Sequence, residues 1–193
     1  MSDSQFSTFV ELLQYRAQHQ PEKTAYIFLE NGETEQARLT YADLHQQASA
    51  LAERLRAQLS AQNTSEENTS EKTPSNAHPA RALLLYPSGL EFIVAFFGCL
   101  YARIIAVPVY PPRRNQSLAR LEAIAQDSQP TLALTTQSVL DDFTQNWPKR
   151  PLPPTLTWLA TDHPTPHSPT PYSPLPHSPT PPLPISPSPQ EPT

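Results

Sequence analysis

Few side chains in this sequence are placed to do chemistry. Pro87-Ser88-Gly89 lies where a strand-like run passes into a helical one, an arrangement resembling half of a nucleophile elbow. A full elbow has a glycine two positions before the serine; here that position holds Tyr86, and Ser88 reads better as a helix N-cap. Cys99 is the only cysteine and falls within an apolar helical run, so it reads as a small core residue. A single cysteine gives no intrachain disulfide and no thiol zinc site. Asp127 and the pair Asp141-Asp142 sit in helical, solvated contexts. Tyr110-Pro111-Pro112-Arg113-Arg114 is rigid and cationic, suited to an anion or to a solvated loop at a strand end. His163, His167 and His177 are strung along a proline-rich segment rather than set at ligand spacing on one element. Glycines at 32, 89 and 98 alone exclude both glycine-rich phosphate-loop patterns. H-E-x-x-H and G-x-S-x-G are absent as well. The residues therefore assign no catalytic, cofactor-binding or metal-binding position.

The elements around these residues follow from hydrophobic spacing. Phe6, Phe9, Leu12, Leu13 and Arg16 predict an amphipathic helix, with Ser4 or Ser7 as N-cap and Pro21 as its stop. Residues 24–29 are rich in β-branched and aromatic types, and Asn31-Gly32 predicts a hairpin returning over 35–39. Thr40 and Asp43 have the spacing of a capping box. The helix they open would bury Leu44, Ala48, Leu51, Leu55 and Leu59. The densest apolar stretch, 81–120, reads as strand 82–86, helix 90–102 and strand 104–110, the size of one βαβ unit. A helix capped by Ser117, a strand at 131–135, a short helix at 138–143 and a strand at 156–160 follow. Helices alternating with short apolar strands predict an α/β domain with a mostly parallel sheet and helices on both faces.

Composition divides the chain. It has 193 residues, with 25 Pro against 3 Gly and a net charge of −5. An acidic balance argues against a nucleic-acid partner, which needs a basic face. Asp3 and the lack of a basic run before an apolar one argue against a signal peptide. The apolar run 92–110 carries Arg103 and Pro108, and a central arginine costs about 2.5–3.5 kcal/mol on insertion, so no membrane span is predicted. A cytoplasmic location is expected. Residues 63–80 contain NTSE twice and no large apolar side chain, which predicts a disordered insertion. Residues 163–193 repeat PHSPTP and contain no Lys or Arg, predicting a disordered Pro/Ser/Thr/His-rich tail that favours polyproline II.

The stretch RALLLYPSGLEFIVAFFGCLYARIIAVPVYPP followed by SLARLEAIAQDSQPTLALTT resembles the N-terminal part of the fatty acyl-AMP ligases, in the adenylate-forming superfamily. Upstream, FVELLQYRAQHQPEKTAYIFLENGE and LTYADL (39–44, the superfamily's first core motif) extend it; LTWLATD (156–162) does so downstream. The second core motif maps onto 100–110. The resemblance covers about 6–162 without the insertion, so 1–162 is expected to be a partial N-terminal domain of an AMP-dependent synthetase or ligase.

What the resemblance implies is ATP- and Mg²⁺-dependent activation of a fatty acid to an acyl-adenylate, passed on to an acyl carrier protein in lipid or polyketide biosynthesis. In that family the phosphate loop, the acid for Mg²⁺ and the catalytic lysine all come after the region matched here. This chain is therefore expected to bind no cofactor and to be inactive alone, unless a complementary ligase fragment completes it. A non-catalytic interaction module with a Pro-rich docking tail is the alternative. An incomplete sheet is expected to show an unpaired edge and an exposed apolar face. Arg103 stands where the family usually has Gly at a helix C-terminus, which implies a strained position.

Overall fold

The computed structural model describes residues 6–65, 79–112, 117–146 and 156–162. Its centre is built from short apolar runs that have no alternating polar residues, as strands covered on both faces require. Strands β3 (Arg81–Leu85), β4 (Ile105–Val109), β5 (Leu132–Thr135) and β6 (Thr157–Ala160) form a four-stranded sheet, ordered β4-β3-β5-β6 and parallel throughout. Strands β1 (Thr24–Glu30) and β2 (Thr34–Thr40) form a separate antiparallel hairpin.

Five helices complete the described residues: α1 (Phe9–His19), α2 (Tyr41–Ser65), α3 (Leu90–Ala102), α4 (Ala119–Ser128) and α5 (Gln137–Asn146). The odd and even residues of β3 divide the core in two, because successive side chains of a strand point to opposite faces. Ala82 and Leu84 pack with Leu51 and Leu55 of α2 and with Ala95 and Cys99 of α3. Leu83 and Leu85 pack with Leu121 and Ala125 of α4 and with Phe143 of α5. The predicted α/β layering, helices on both faces of a parallel sheet, is what the chain adopts. A third cluster joins Leu13, Leu39, Leu44 and Leu90, and so ties α1 and the hairpin to α2 and α3.

Several local predictions are met. Asn31 and Gly32 take φ of 52° and 78°, the positive pair a tight hairpin turn needs. Asp43 Oδ2 accepts from the Thr40 amide at 3.1 Å, and Thr40 Oγ1 accepts from the Asp43 amide at 3.1 Å, closing the capping box. Arg103 has φ 62° and ψ 37°. Its amide donates to Leu100 O at 3.1 Å and the Ile104 amide to Cys99 O at 2.9 Å, the two bonds of a Schellman motif. Glycine fits this left-handed position without penalty, whereas a residue with a Cβ is strained by about 1 kcal/mol.

Other predictions are corrected. The N-cap of α1 is Thr8, not Ser4 or Ser7: its Oγ1 accepts from the Glu11 amide at 3.1 Å, and the Glu11 carboxylate accepts from the Ser7 amide at 2.8 Å. A reciprocal pair at that spacing satisfies two orphan donors, which a cap one residue earlier would not. The N-cap of α3 is Gly89 rather than Ser88, with extended backbone and no side-chain cap. Helix α4 begins at Ala119, and the Ser117 hydroxyl still accepts from the Ala119 amide at 3.2 Å. Helix α2 runs through Ser65, past residue 63 where the polar insertion was expected to break it. The rest of that insertion, 66–78, and the tail, 163–193, lie outside the described residues, as do Arg113 and Arg114.

The expected apolar exposure is absent from the two central strands of this sheet. Every residue of β5 is buried, as are Ala82 to Leu85 of β3. Apolar exposure lies on the sheet's edge strand at Ile105, just past it at Tyr110, on the hairpin at Tyr26, Ile27 and Leu29, and on Phe9. β4 is an edge strand, and the Ile105 amide donates inward across the β3 side, to Ala80 O at 2.8 Å. Alternation along the strand then turns the nitrogens of Ala106 and Pro108 to the open side. Among the described residues no helix is long and apolar enough to cross a membrane.

Candidate functional site

In an open α/β sheet, ligands bind outside the carboxyl ends of the strands, where successive connections leave in opposite directions. Here that point is β3, since β4 lies on one side of it and β5 on the other. The residues just past the strand ends form a linked polar set. The Tyr86 phenol and the Thr161 hydroxyl are 2.7 Å apart, and Thr135 Oγ1 donates to Leu85 O at 2.6 Å. Thr161 Oγ1 donates to Thr135 O at 3.3 Å, and Asp162 Oδ1 accepts from the Gln137 amide at 2.8 Å at the start of α5. Burial drives the Tyr86 pKa far above the ordinary phenol range, against a smaller opposing effect of the Thr161 hydrogen bond. Burial thus favours the neutral phenol of Tyr86, which the Thr161 hydroxyl contacts. Among the described residues no buried side-chain polar atom lacks a partner.

Beside Tyr86 opens a cleft of about 230 Å³, lined by Leu84, Tyr86, Pro87, Ser88, Gly89, Phe92, Pro108, Val109 and Tyr110. Its walls are aromatic and proline surfaces: the Tyr86 and Phe92 rings meet edge-on at 6.5 Å, and Tyr110 is 83% exposed. The lining includes no Lys, Arg, His, Asp or Glu. Ser88 is exposed there with no base among the lining residues, so the cleft offers no activated nucleophile. Glu91, in the first turn of α3, brings its carboxylate against the Gly89 Cα, where a Cβ would collide with it. Negative charge at that helix end opposes phosphate binding.

The other flagged residues are dispersed. Cys99 is fully buried against α2 and β3, and burial pushes its thiol from 9.0 up to about 12, the opposite of an activated nucleophile. Asp127 and Asp141 are exposed on α4 and α5, and Asp141 accepts from the Gln137 side chain at 2.7 Å. No group of three or more His, Cys, Asp or Glu among the described residues could hold a metal ion. Sequence reasoning missed the Tyr86–Thr161 link, because the two residues are 75 positions apart and only the sheet order joins them.

A parallel sheet of this order and a helix-capping LTYADL segment define a class. The family described as AMP-binding enzyme matches residues 76–192, more than half of the sequence, and this chain belongs to it. Within it, the similarity is to the fatty acyl-AMP ligases. Over 138 residues the chain is 44% identical to the medium-chain-fatty-acid–[acyl-carrier-protein] ligase JamA of Moorena producens, covering 70% of this chain and 20% of that protein. It is 34% identical over 137 residues to the long-chain-fatty-acid–AMP ligase FadD26 of Mycobacterium tuberculosis, covering 69% and 21%. The crystal structure of a fatty acyl-adenylate ligase from L. pneumophila, in complex with acyl adenylate and pyrophosphate, superposes with a TM-score of 0.62. That match has 33% identity and covers 81% of this chain and 24% of that one. The chain spans about a fifth of the length of the curated relatives it matches. The family match runs to 192, well into the Pro-rich repeat and past residue 162, where the resemblance was expected to end.

Proposed function

We propose that these residues are the sheet-bearing N-terminal scaffold of a fatty acyl-AMP ligase and do not adenylate a fatty acid by themselves. The similarity to JamA, 44% identity over 138 residues, carries the reading. The chemistry supports the inactive half of it. Joining a carboxylate to the α-phosphate of ATP requires cations that hold two anions together and neutralise the departing pyrophosphate. The cleft beside Tyr86 has no Lys or Arg in its lining.

In an assembled ligase, this part would hold the β3 strand end and the α3 N-terminus in place. Other parts of the protein would supply the phosphate loop, the Mg²⁺ ligand and the catalytic lysine. Fatty acid and acyl carrier protein would be the partners of that assembly, and the cytoplasm its location. ATP–pyrophosphate exchange by the purified 193-residue chain, assayed with medium- and long-chain fatty acids, tests the proposal. No exchange above background is expected, and clear turnover would sink it. Addition of a separately expressed remainder of a fatty acyl-AMP ligase is expected to restore exchange only if the two parts dock.

A further inference from the structure

The cleft beside Tyr86 is lined by aromatic and proline surfaces and carries no charge, and nothing in the ligase reading uses it. We infer that it is the docking groove for this chain's own Pro-rich segment, residues 163–193. Three observations lead there. The first is chemical: grooves that take polyproline II segments present exposed aromatic faces to proline rings and a few donors to the unpaired backbone carbonyls. Tyr110 and Phe92 provide the faces, and the exposed Ser88 and Tyr110 hydroxyls the donors.

The second is position. Residue 163 follows two places after Thr161, whose hydroxyl touches the Tyr86 phenol 2.7 Å away, and Tyr86 forms the inner wall of the groove. The segment is therefore tethered two residues from a side chain that touches the groove's inner wall. Tethering raises its local concentration to the order of millimolar, enough for a weak ligand of this class. The third is charge. Residues 163–193 contain no Lys or Arg and a single acid, Glu191, which matches an uncharged groove and not a basic or acidic one.

The full chain allows a direct test, because Cys99 is buried and does not compete for a thiol reagent. A Ser178→Cys variant carrying a nitroxide at the new thiol is compared, by amide NMR, with its reduced, diamagnetic form. Selective loss of the Gly89, Phe92 and Tyr110 amide signals is expected, and Tyr110→Ala, at an exposed position, is expected to restore them. Three results would overturn the inference. One is broadening spread evenly over the surface. Another is broadening that Tyr110→Ala leaves unchanged. The last is broadening seen only when spin-labelled chains are mixed with separate isotope-labelled chains, which would mean that a second copy supplies the segment.

Discussion

The parallel sheet and the N-terminal hairpin are both made of short strands, yet they are held by different means. β3 and β5 have helices on both faces and bury nearly every side chain. The hairpin turns Phe28 and Ala37 inward, but leaves Ile27 49% and Leu29 42% exposed. Its outer face adds only one ion pair, Glu35 with Arg38, on a surface where such pairs contribute little. The sheet is where the chain's stability resides. The hairpin is an accessory, locked by the Asn31-Gly32 turn and the Thr40–Asp43 box rather than by its own core.

Substitutions should separate the two. Leu84→Ala removes a fully buried side chain between α2, α3 and β5, and a loss of about 2–5 kcal/mol in denaturant unfolding is expected. A loss below 1 kcal/mol would show that the sheet is not the main source of stability.

Alkaline titration probes the same layer. Burial raises the Cys99 thiol from 9.0 to about 12 and also raises the Tyr86 phenol, so both are neutral in the folded protein where the unfolded chain would already ionise. A raised acid favours folding below its unfolded value and loses that contribution as pH climbs towards the folded one. Stability should therefore fall as pH rises from 9 towards 12, and Cys99→Ala should flatten the first part of that decline.

Arg103→Gly is expected to stabilise the chain by about 1 kcal/mol, because the left-handed C-cap of α3 no longer opposes a Cβ. An unchanged or lower midpoint would mean that the Arg103 side chain compensates for its backbone. Smallest of all, Ile27→Thr on the outer face of the hairpin should change stability by no more than about 0.5 kcal/mol. A larger effect would mean that this face is covered in solution.

The sequence made the sheet easier to read than the hairpin's surroundings, for physical reasons. ALLL, LALT and TWLA are apolar without alternation, which only strands with two covered faces tolerate. The strain at Arg103 was legible because a family preference for glycine there maps to one backbone conformation. The helix caps were less so. Ser7 and Thr8 are adjacent hydroxyls, and the choice between them turns on where Glu11 falls relative to each. Ser88 lost its capping role to a glycine because the chain leaves β3 through Pro87 and meets the helix one residue later than spacing alone suggests. Phe9 fits an apolar stripe, yet it is 67% exposed, since only Leu13 of that stripe reaches the third cluster. The polar set at the strand ends was out of reach altogether: it depends on which strands are neighbours, and a crossover decides that.

Pro108 carries a consequence for how this molecule behaves in a crowded solution. An edge strand with free amides is a template on which another chain can add a strand. On the open side of β4 the nitrogen of residue 108 has no hydrogen to offer, and its ring stands where an incoming backbone would have to lie. Aggregation by strand addition is thereby discouraged along that border.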